Sequence, residues 1–245
     1  MGVNTINSKE VKKFSDISQE WWDENGKFKP LHKFNPIRIE FIKNKIIENF
    51  KLKSKELPLK NIEIADIGCG GGLICEPLAQ MGAKMTGIDA SKKNIEVANI
   101  HAQESGLKIN YQNIDISDFA NKKKKFDVVL ALEVVEHVDN IEEFIKFTTK
   151  CLKKDGILLI ATLNRTISAY VKAIIGAEYL LRWLPVGTHD WRKFLKPSQI
   201  NDMVLKQGDF KLLEEKGFDY NIFNDNWKLT DNLDVNYIML FKKNA

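Results

Sequence analysis

Residues 62–72 read IEIADIGCGGG, a short apolar run that continues into glycines at positions 68, 70 and 72. The apolar run is typical of a buried strand, and the segment Leu73–Met81 that follows has helical character. Glycine permits a positive φ angle and lets a ligand approach the backbone without meeting a Cβ atom. The succession of strand, glycine loop and helix predicts a nucleotide-type binding site.

The same alternation of apolar runs and helical segments continues along the chain. Strand-like runs occupy residues 62–68, 84–90, 109–115, 126–133 and 156–164, with two more at 210–221 and 235–243. Helical segments, among them Lys92–Ser105 and Ile141–Leu152, lie between the first five. Continuous apolar runs are typical of parallel strands whose two faces are both covered by helices. We therefore predict an α/β fold with a doubly wound, mostly parallel, seven-stranded sheet.

Length and composition favour one domain that spans residues 1–245. With 44% hydrophobic residues the chain can bury a full core, and its net charge of +4 is spread over a Lys-rich sequence. The three cysteines lack zinc-type spacing and indicate a reducing compartment. No secretion signal is recognisable, and no apolar run reaches the roughly 18 residues that a membrane span needs. We expect a soluble or peripheral protein of the bacterial cytoplasm.

Residues 1–60 are expected to form a helical extension in front of the sheet. Apolar residues at spacings of three and four predict an amphipathic helix over residues 10–24, which docks by its apolar stripe. The stripe consists of Phe14, Ile17 and Trp21. Pro30 and Pro36 are expected to keep the next segment irregular until a second helix begins near Ile39.

The glycine spacing separates two kinds of nucleotide-type site. A dinucleotide fingerprint that begins at Gly68 requires a third glycine at position 73, which is Leu73. Asp66 precedes Gly68 by two residues and suits a cationic ligand better than a pyrophosphate. S-adenosylmethionine carries a sulfonium and an ammonium and no phosphate, so Asp66, Gly68 and Gly70 are predicted to bind this cofactor. Asp89 ends the next strand, where its carboxylate would bind the ribose hydroxyls.

A series of motifs along nearly the whole chain resembles one family. The motifs are WWDENGKFKPLH, FNPIR, ADIGCGGG, GIDAS, ALEVVEHV, TLNRT, GAEYLLRWLPVGTHDW and DVNYIML. In this order they are similar to those of the ubiquinone biosynthesis O-methyltransferases, which are class I methyltransferases of Rossmann-like fold. The resemblance implies O-methylation of a phenol or catechol that carries a polyprenyl tail, at two steps of ubiquinone assembly. Other enzymes of ubiquinone biosynthesis are the protein partners that it implies.

The resemblance also implies roles for individual residues. In this family, the residues that match Arg38, Gly68, Asp89 and Leu132 contact the cofactor. A guanidinium such as that of Arg38 can hold the methionine carboxylate by two hydrogen bonds, although a surface arginine fits the sequence equally well. From its position after the third strand alone, Asp115 is predicted to accept a hydrogen bond from the adenine amino group.

Two carboxylates and an imidazole follow the fourth predicted strand, in the segment Glu133–His137. Open α/β sheets bind ligands at the carboxyl ends of their strands, so this segment is expected at the catalytic edge. His137 is the candidate general base, since a phenol with a pKa of ~10 is a poor nucleophile until it loses its proton. Alternatively, Glu133, Glu136 and His137 hold Mg²⁺, which lowers the phenol pKa. In the simplest alternative, Glu136 caps the next helix and His137 only packs.

A long connection, residues 165–196, follows the fifth predicted strand and is expected to form a helical insert. Most of its predicted helical surface, from Ile167 to Leu184, is apolar. Such a helix can cover a polyprenylated phenol or lie on a bilayer. Residues 165–187 are the predicted contact with an anionic surface, placing the protein at the periphery of the inner membrane. A core helix that packs on the sheet is the alternative.

Two other functions compete with O-methylation of a small molecule. Nucleic-acid methyltransferases that act on exocyclic amines usually carry an Asn/Asp-Pro-Pro-aromatic loop after the fourth strand, where this chain has Leu132-Glu133-Val134. The acidic loop disfavours nucleic acid as a partner. A non-catalytic lipid-binding protein that keeps S-adenosylmethionine as a structural ligand would bind cofactor and liposomes but transfer no methyl group.

Overall fold

A computed structural model describes residues 5–170, 190–221 and 224–244 of the chain. In these residues, eight strands form one sheet. The strands are β1 (Glu63–Ile67), β2 (Lys84–Asp89), β3 (Asn110–Asn113), β4 (Phe126–Leu132), β5 (Leu152–Leu163), β6 (Phe210–Asn221), β7 (Asn226–Thr230) and β8 (Asn236–Lys243). Their order is β3-β2-β1-β4-β5-β8-β6-β7. Pairing is parallel from β3 to β5 and antiparallel from β5 onward.

Helices pack on both faces of this sheet. In the described ranges they are α1 (Ser8–Asp16), α2 (Lys29–Phe50), α3 (Cys75–Gln80), α4 (Lys92–Glu104), α5 (Ile116–Asn121), α6 (Ile141–Lys150), the short turn α7 (Ile167–Ala169) and α8 (Pro197–Leu205). Short 3-10 turns occupy Ser18–Glu20, Val135–His137 and Trp191–Lys193. Within the same ranges, no helix combines the length and the apolar character needed to cross a membrane.

The central strand β4 shows why its sequence is a continuous apolar run. Val128, Leu130 and Leu132 belong to one hydrophobic cluster, which includes residues of α2, α3 and α4. Val129 and Ala131 alternate with them and belong to a second cluster, which includes residues of α5, α6 and α8. Both faces of the strand are therefore buried under helices. This confirms the predicted doubly wound α/β architecture.

The sheet has one strand more than the seven predicted. The additional strand, β7, lies at the edge of the sheet and pairs with β6. Its side chains Asn226, Lys228 and Leu229 are exposed. An exposed edge strand needs no apolar run, so the signal by which the other strands are recognised is missing from its sequence. Backbone pairing with β6 forms the strand instead.

The predicted N-terminal helix is shorter than expected. α1 ends at Asp16 rather than near residue 24, and a 3-10 turn follows it. The earlier end lets the chain turn, so that Trp21 is buried in a small cluster with Leu73, directly after the glycine loop. The other two residues of the predicted apolar stripe pack against the same cluster. The stripe therefore docks, although it does not lie on one continuous helix.

The prediction of an irregular segment around two prolines is wrong, because α2 runs through it. Pro30 lies in the first turn of α2, where its missing N–H leaves no helical hydrogen bond unmade. Pro36 lies inside the helix, where proline removes a backbone hydrogen bond. Phe34, Phe41 and Ile42 of the same helix are buried in the core. Their burial offsets the loss at Pro36.

Candidate active site

A cleft opens at the carboxyl ends of β1, β2 and β4, where an open α/β sheet is expected to bind its ligand. Its empty space, counted together with the open solvent at its mouth, is about 780 Å³. Six of the predicted site residues line it: Gly68, Gly70, Asp89, Asp115, Glu133 and His137. The remaining four are buried and lie outside the lining: Arg38, Asp66, Leu132 and Glu136.

The alternating glycines are required by the protein's own side chains. Gly68, Gly70 and Gly72 have φ angles of 76°, 54° and 91°, in a region where other residues are strained. A Cβ atom on Gly68 would lie 2.5 Å from Val134, and one on Gly70 would lie 2.5 Å from the ring of Trp21. Internal packing therefore excludes a side chain at positions 68 and 70, whether or not a ligand approaches the loop.

Asp89 ends β2 and connects the glycine loop to the start of α4. Its Oδ2 accepts a hydrogen bond from the backbone N–H of Gly70 at 2.9 Å, and its Oδ1 accepts one from the N–H of Ser91 at 2.7 Å. Burial raises the pKa of the Asp89 carboxyl, and these hydrogen bonds oppose that shift. A carboxylate fixed in this way on the cleft wall can accept further hydrogen bonds from a ligand's hydroxyl groups.

Asp66 and Arg38 add two buried charged groups behind the cleft wall. Asp66 accepts a hydrogen bond from Cys75 Sγ at 3.3 Å, and burial raises the pKa of its carboxyl to about 6. Arg38 donates to Glu133 Oε1 at 3.3 Å and also to the side chain of Asn35. Burial lowers the pKa of Arg38, and the charge of Glu133 raises it. The Nε–H of Arg38 has no hydrogen-bond partner among the described residues, which leaves one donor for an anionic group.

The segment after β4 directs its three ionisable side chains to three different partners. Glu133 has a left-handed backbone, with φ of 52°, and pairs with the guanidinium described above. Glu136 is buried and accepts a hydrogen bond from Thr162 Oγ1 at 2.9 Å. Burial, together with the charge of Glu133, raises the pKa of Glu136 well above its usual value. His137 places its Nδ1 atom 3.2 Å from Glu10 Oε2.

The helix that follows this segment is capped by a different residue. Asn140 is the N-cap of α6, and its side chain accepts a hydrogen bond from the N–H of Glu143 at 3.1 Å. The alternative in which Glu136 caps this helix is therefore wrong. His137 packs edge-on against Phe14, with 5.1 Å between the ring centroids, and it also lines the cleft.

One wall of the cleft comes from the N-terminal segment, which sequence analysis did not include in the site. Thr5 Oγ1 donates to Asp115 Oδ2 at 2.7 Å, across 110 positions of the chain. Asn7 Nδ2 donates to Asp139 Oδ1 at 2.6 Å, and Glu10 also lines the cleft. Asn followed by Glu three residues later is a helix-start signal, and it would have placed the first turn of α1 correctly. No local pattern reveals contacts across such distances in sequence.

Known proteins resemble this chain over nearly its whole length. Residues 65–160 match a family model described as a methyltransferase domain. The chain is 56% identical to the ubiquinone biosynthesis O-methyltransferase of Pelagibacter ubique (strain HTCC1062), over 99% of this chain and 100% of that protein. It is 48% identical to the protein of the same name from Bartonella bacilliformis, over 98% of this chain and 96% of that protein. The chain belongs to the ubiquinone biosynthesis O-methyltransferase family.

Two solved methyltransferase structures share the fold of this ubiquinone biosynthesis O-methyltransferase family member. The magnesium protoporphyrin IX methyltransferase from Synechocystis PCC 6803 with bound SAM is 16% identical and has a TM-score of 0.64, over 98% of this chain and 100% of that one. The plantazolicin methyltransferase in complex with a triazolic desmethylPZN analog and SAH is 19% identical, with a TM-score of 0.63 and the same coverage. Likeness at these identities shows the fold alone, and it confirms the predicted class I methyltransferase fold.

The side chains predicted to bind Mg²⁺ in this family member do not form a common ligand set. Glu133, Glu136 and His137 each have a separate partner, as described above. Across residues 5–170, 190–221 and 224–244, no group of three His, Cys, Asp or Glu residues could hold a metal ion. Mg²⁺ demands ligands that converge in near-octahedral geometry. The arrangement does not fit the predicted metal site, and we derive no reaction step through Mg²⁺.

The insert after β5 is described only near its ends. Residues 171–189, which carry most of the predicted apolar helical surface, lie outside the described residues. Before them, the side chains of Ile167 and Tyr170 are 79% and 45% exposed. After them, Trp191 Nε1 donates a hydrogen bond to the carbonyl oxygen of Thr166 at 3.0 Å. The two ends of the insert therefore lie side by side.

Proposed function

We propose that the protein transfers the methyl group of S-adenosylmethionine to phenolic hydroxyls of polyprenyl-catechol and demethylubiquinol intermediates. These transfers would be the two O-methylation steps of ubiquinone assembly. Family membership and the names of the curated relatives support the proposal. The observation that carries it is one cleft whose lining includes both Gly70 and Asp89 and the pair Glu133 and His137. A cofactor held by the first pair would present its methyl group to a phenol beside the second.

The residues in and behind the cleft wall suit the separate groups of the cofactor. When bound, S-adenosylmethionine supplies an electrophilic methyl group on a cationic sulfur. Asp89 would accept hydrogen bonds from the ribose hydroxyls, and Asp115 would accept one from the adenine amino group. Arg38 would hold the methionine carboxylate through its Nε–H, which has no partner in the part of the chain that the structure describes. Asp66 would favour a cationic ligand by its charge, and Leu132 would add apolar surface near the adenosine.

His137 is the proposed general base. Its imidazole accepts the phenol proton while the phenol oxygen bonds to the methyl carbon and the carbon–sulfur bond breaks, so the positive charge of the sulfonium ends on the imidazolium. Alignment of the two reactants can supply about 7–11 kcal/mol of the barrier reduction. Direct transfer needs no covalent nucleophile. Burial raises the pKa of Cys69 in the glycine loop to about 11, which keeps this residue a thiol.

The decisive assay incubates the purified protein with labelled S-adenosylmethionine and a short-tailed polyprenyl catechol. We expect a labelled methyl ether, and a decrease in kcat of roughly 10²–10⁴-fold for His137→Ala, the range typical of general acid–base catalysis. A parallel assay with a chelator tests the prediction that Glu133, Glu136 and His137 hold Mg²⁺. Activity that the chelator does not change would contradict that prediction. Cofactor binding without any methyl ether would contradict the proposal and favour a non-catalytic lipid-binding protein.

We also propose that residues 1–245 form one methyltransferase domain whose insert, residues 165–196, contacts a membrane. A polyprenylated phenol resides in the bilayer, and the exposed Ile167 and Tyr170 support an apolar contact at the start of the insert. Residues 165–187 would bind an anionic surface on the cytoplasmic side of the bacterial inner membrane, near other enzymes of ubiquinone assembly.

Co-sedimentation with liposomes of increasing anionic lipid content should show binding that Ile167→Ser weakens. Equal binding to neutral and to anionic liposomes would contradict the proposal that residues 165–187 bind an anionic surface.

A further inference from the structure

Trp21, the first residue of the WWDENGKFKPLH motif, lines the cleft beside the glycine loop. Its side chain is buried, and its ring stacks on that of Phe28 with 3.7 Å between the centroids. The same ring occupies the space that Cβ atoms on Gly70 and Gly71 would need. The N-terminal extension therefore packs a buried aromatic ring against the loop that is proposed to bind the cofactor.

The indole N–H of Trp21 fixes the orientation of a buried amide. Its Nε1 donates a hydrogen bond to Asn94 Oδ1 at 3.0 Å. Because an indole N–H can only donate, the amide of Asn94 must present its oxygen to the ring and its NH₂ group to the other side. On that side, Asn94 Nδ2 donates to Asp89 Oδ1 at 3.3 Å. Two successive hydrogen bonds therefore connect Trp21 to the carboxylate that is proposed to bind the ribose.

Asn94 adds a side-chain donor to the backbone donors that hold Asp89. The N–H groups of Gly70 and Ser91 each bond one oxygen of this carboxylate, and Asn94 makes a further bond to Oδ1. Without the bond from Asn94, the carboxylate is freer to rotate away from the position in which it can accept hydrogen bonds from a ribose. A ligand must then order it on binding, and that ordering lowers the affinity.

The neighbouring indole holds the segment that carries Trp21. Trp22 Nε1 donates to the carbonyl oxygen of Gly71 at 3.0 Å, and its ring stacks on the imidazole of His101 with 3.5 Å between the centroids. The carbonyl oxygen of Trp21 accepts a hydrogen bond from His32 Nε2 at 2.8 Å. These contacts hold the backbone of Trp21 independently of its own indole N–H. Removal of that N–H alone should therefore leave the segment in place.

We propose that Trp21 is a positioning residue for the cofactor, which holds Asp89 in its ribose-binding orientation through the side chain of Asn94. The inference rests on the proposed role of Asp89 as the ribose ligand. It adds a residue of the N-terminal extension to the cofactor site, and it gives the first tryptophan of the WWDENGKFKPLH motif a role beyond packing.

Isothermal titration calorimetry with S-adenosylmethionine, on full-length variants, tests the inference without requiring methyl transfer. Trp21→Phe keeps an aromatic ring but removes the indole N–H. We expect it to weaken cofactor binding roughly three- to tenfold, the effect of losing one buried hydrogen bond. Trp227→Phe, the same change on the edge strand β7, is the matched control and should bind as the wild type does. Wild-type affinity in Trp21→Phe would overturn the inference.

A double-variant cycle separates positioning from a purely structural role. Asn94→Ala removes the middle member of the connection and should weaken binding by a similar factor. Adding Trp21→Phe to Asn94→Ala should then change the affinity less than about twofold. In the methyl-transfer assay, Trp21→Phe should raise the KM for S-adenosylmethionine while kcat and the KM for the catechol change less than about twofold. Equal losses of affinity in both backgrounds, or a fall in kcat alone, would contradict the positioning role.

Failure of this inference can be distinguished from failure of the proposed function. Unchanged cofactor affinity in Asp89→Ala would remove the proposed ribose ligand, and the positioning role with it. Weak binding by Asp89→Ala, together with wild-type affinity in Trp21→Phe, would leave the ribose ligand in place and overturn the positioning role alone. Circular dichroism checks the folding of each variant. If Trp21→Phe does not fold, Asn94→Ala takes its place, and wild-type affinity in that variant would overturn the inference.

Discussion

The cleft has a cofactor half and a reaction half, and the residues that contact each other are much closer in sequence in the first half than in the second. In the cofactor half, formed by the glycine loop and Asp89, the contact between Gly70 and Asp89 joins residues 19 positions apart. In the reaction half, formed by the first turn of α1 and the segment after β4, Glu10 contacts His137 across 127 positions and Lys193 across 183. The Gly70–Asp89 contact joins two neighbouring strands, whereas the contacts of Glu10 join distant parts of the chain. Substitutions should therefore affect cofactor affinity in the first half and turnover in the second.

The largest effect of this difference is expected at Asp89, the proposed ribose ligand in the cofactor half. Two charge-assisted hydrogen bonds, at about 1.5–3 kcal/mol each, correspond to a loss of roughly 10²–10⁴ in affinity. Isothermal titration calorimetry with S-adenosylmethionine should show this loss for Asp89→Ala. The exposed control Asp118→Ala should bind as the wild type does. Unchanged affinity in Asp89→Ala would mean that the cofactor half has been misidentified.

A smaller effect is expected from the carboxyl group buried at Asp66, behind the same half. Burial raises its pKa from 3.8 to about 6, so the cofactor-free protein should lose stability as pH rises from about 4 through about 6 and the group ionises. The pKa difference corresponds to roughly 3 kcal/mol. The asparagine of Asp66→Asn cannot ionise. The difference in free energy of unfolding between this variant and the wild type, measured in urea, should therefore grow by about this amount across that pH range. A difference that does not vary with pH would contradict the prediction.

A substitution at Gly70 tests whether the cofactor half depends on the N-terminal extension, because the Trp21 side chain beside Gly70 comes from that extension. Gly70→Ala places a Cβ atom 2.5 Å from the Trp21 ring, and such overpacking typically costs about 1–3 kcal/mol. Gly106→Ala is the matched control, since Gly106 also has a positive φ, 67°, but no atom of the described residues lies within 4 Å of the added Cβ. Urea unfolding should show the larger loss for Gly70→Ala. Equal losses would mean that Trp21 moves aside without cost.

The smallest effect is expected at Asn7, which caps α1 in the reaction half. Its side chain accepts hydrogen bonds from the N–H groups of Lys9 and Glu10, both at 3.1 Å. Loss of such a cap costs about 0.5–2 kcal/mol. Asn7→Ala should therefore raise hydrogen-exchange rates in α1 roughly tenfold while the rest of the protein keeps its protection. Lys12→Ala, an exposed change on the same helix, should leave exchange unchanged. Unaltered exchange in Asn7→Ala would show that other contacts hold the helix.

Much of the cofactor half could be predicted because its requirements are visible in short stretches of sequence. The spacing of Gly68 and Gly70, followed by Asp89 at the end of the next strand, indicates both the fold class and the edge at which the cleft opens. The sequence does not indicate in the same way which residues lie behind the wall of the cleft. Asp66 and Arg38 are buried because β1 and α2 pack in the core, and this depends on the three-dimensional arrangement rather than on spacing.

The reaction half could be predicted only for the segment that follows β4. The position of His137 at the strand end reveals it as a site residue, but Glu10 and Thr5 reach the cleft because the N-terminal segment contacts the residues that follow β3 and β4, and no local pattern specifies those contacts. The path of α2 was missed for a related reason. Burial of its apolar face outweighs the preference of Pro36 for a helix end, and burial of this kind is a property of the whole fold.

α1 forms a wall of the cleft without contributing a fully buried residue. It is held by half-buried contacts such as that of Phe14, by the hydrogen bond between Ser15 and Ser91 at 2.6 Å, and by the ion pair of Glu10 with Lys193. Such a helix can detach while the core stays packed, because water replaces most of the contacts that break. We expect the spent cofactor to leave at a rate set by this opening. Added salt weakens ion pairs that are partly exposed, such as that of Glu10 with Lys193, and should speed the departure, so turnover would vary with ionic strength.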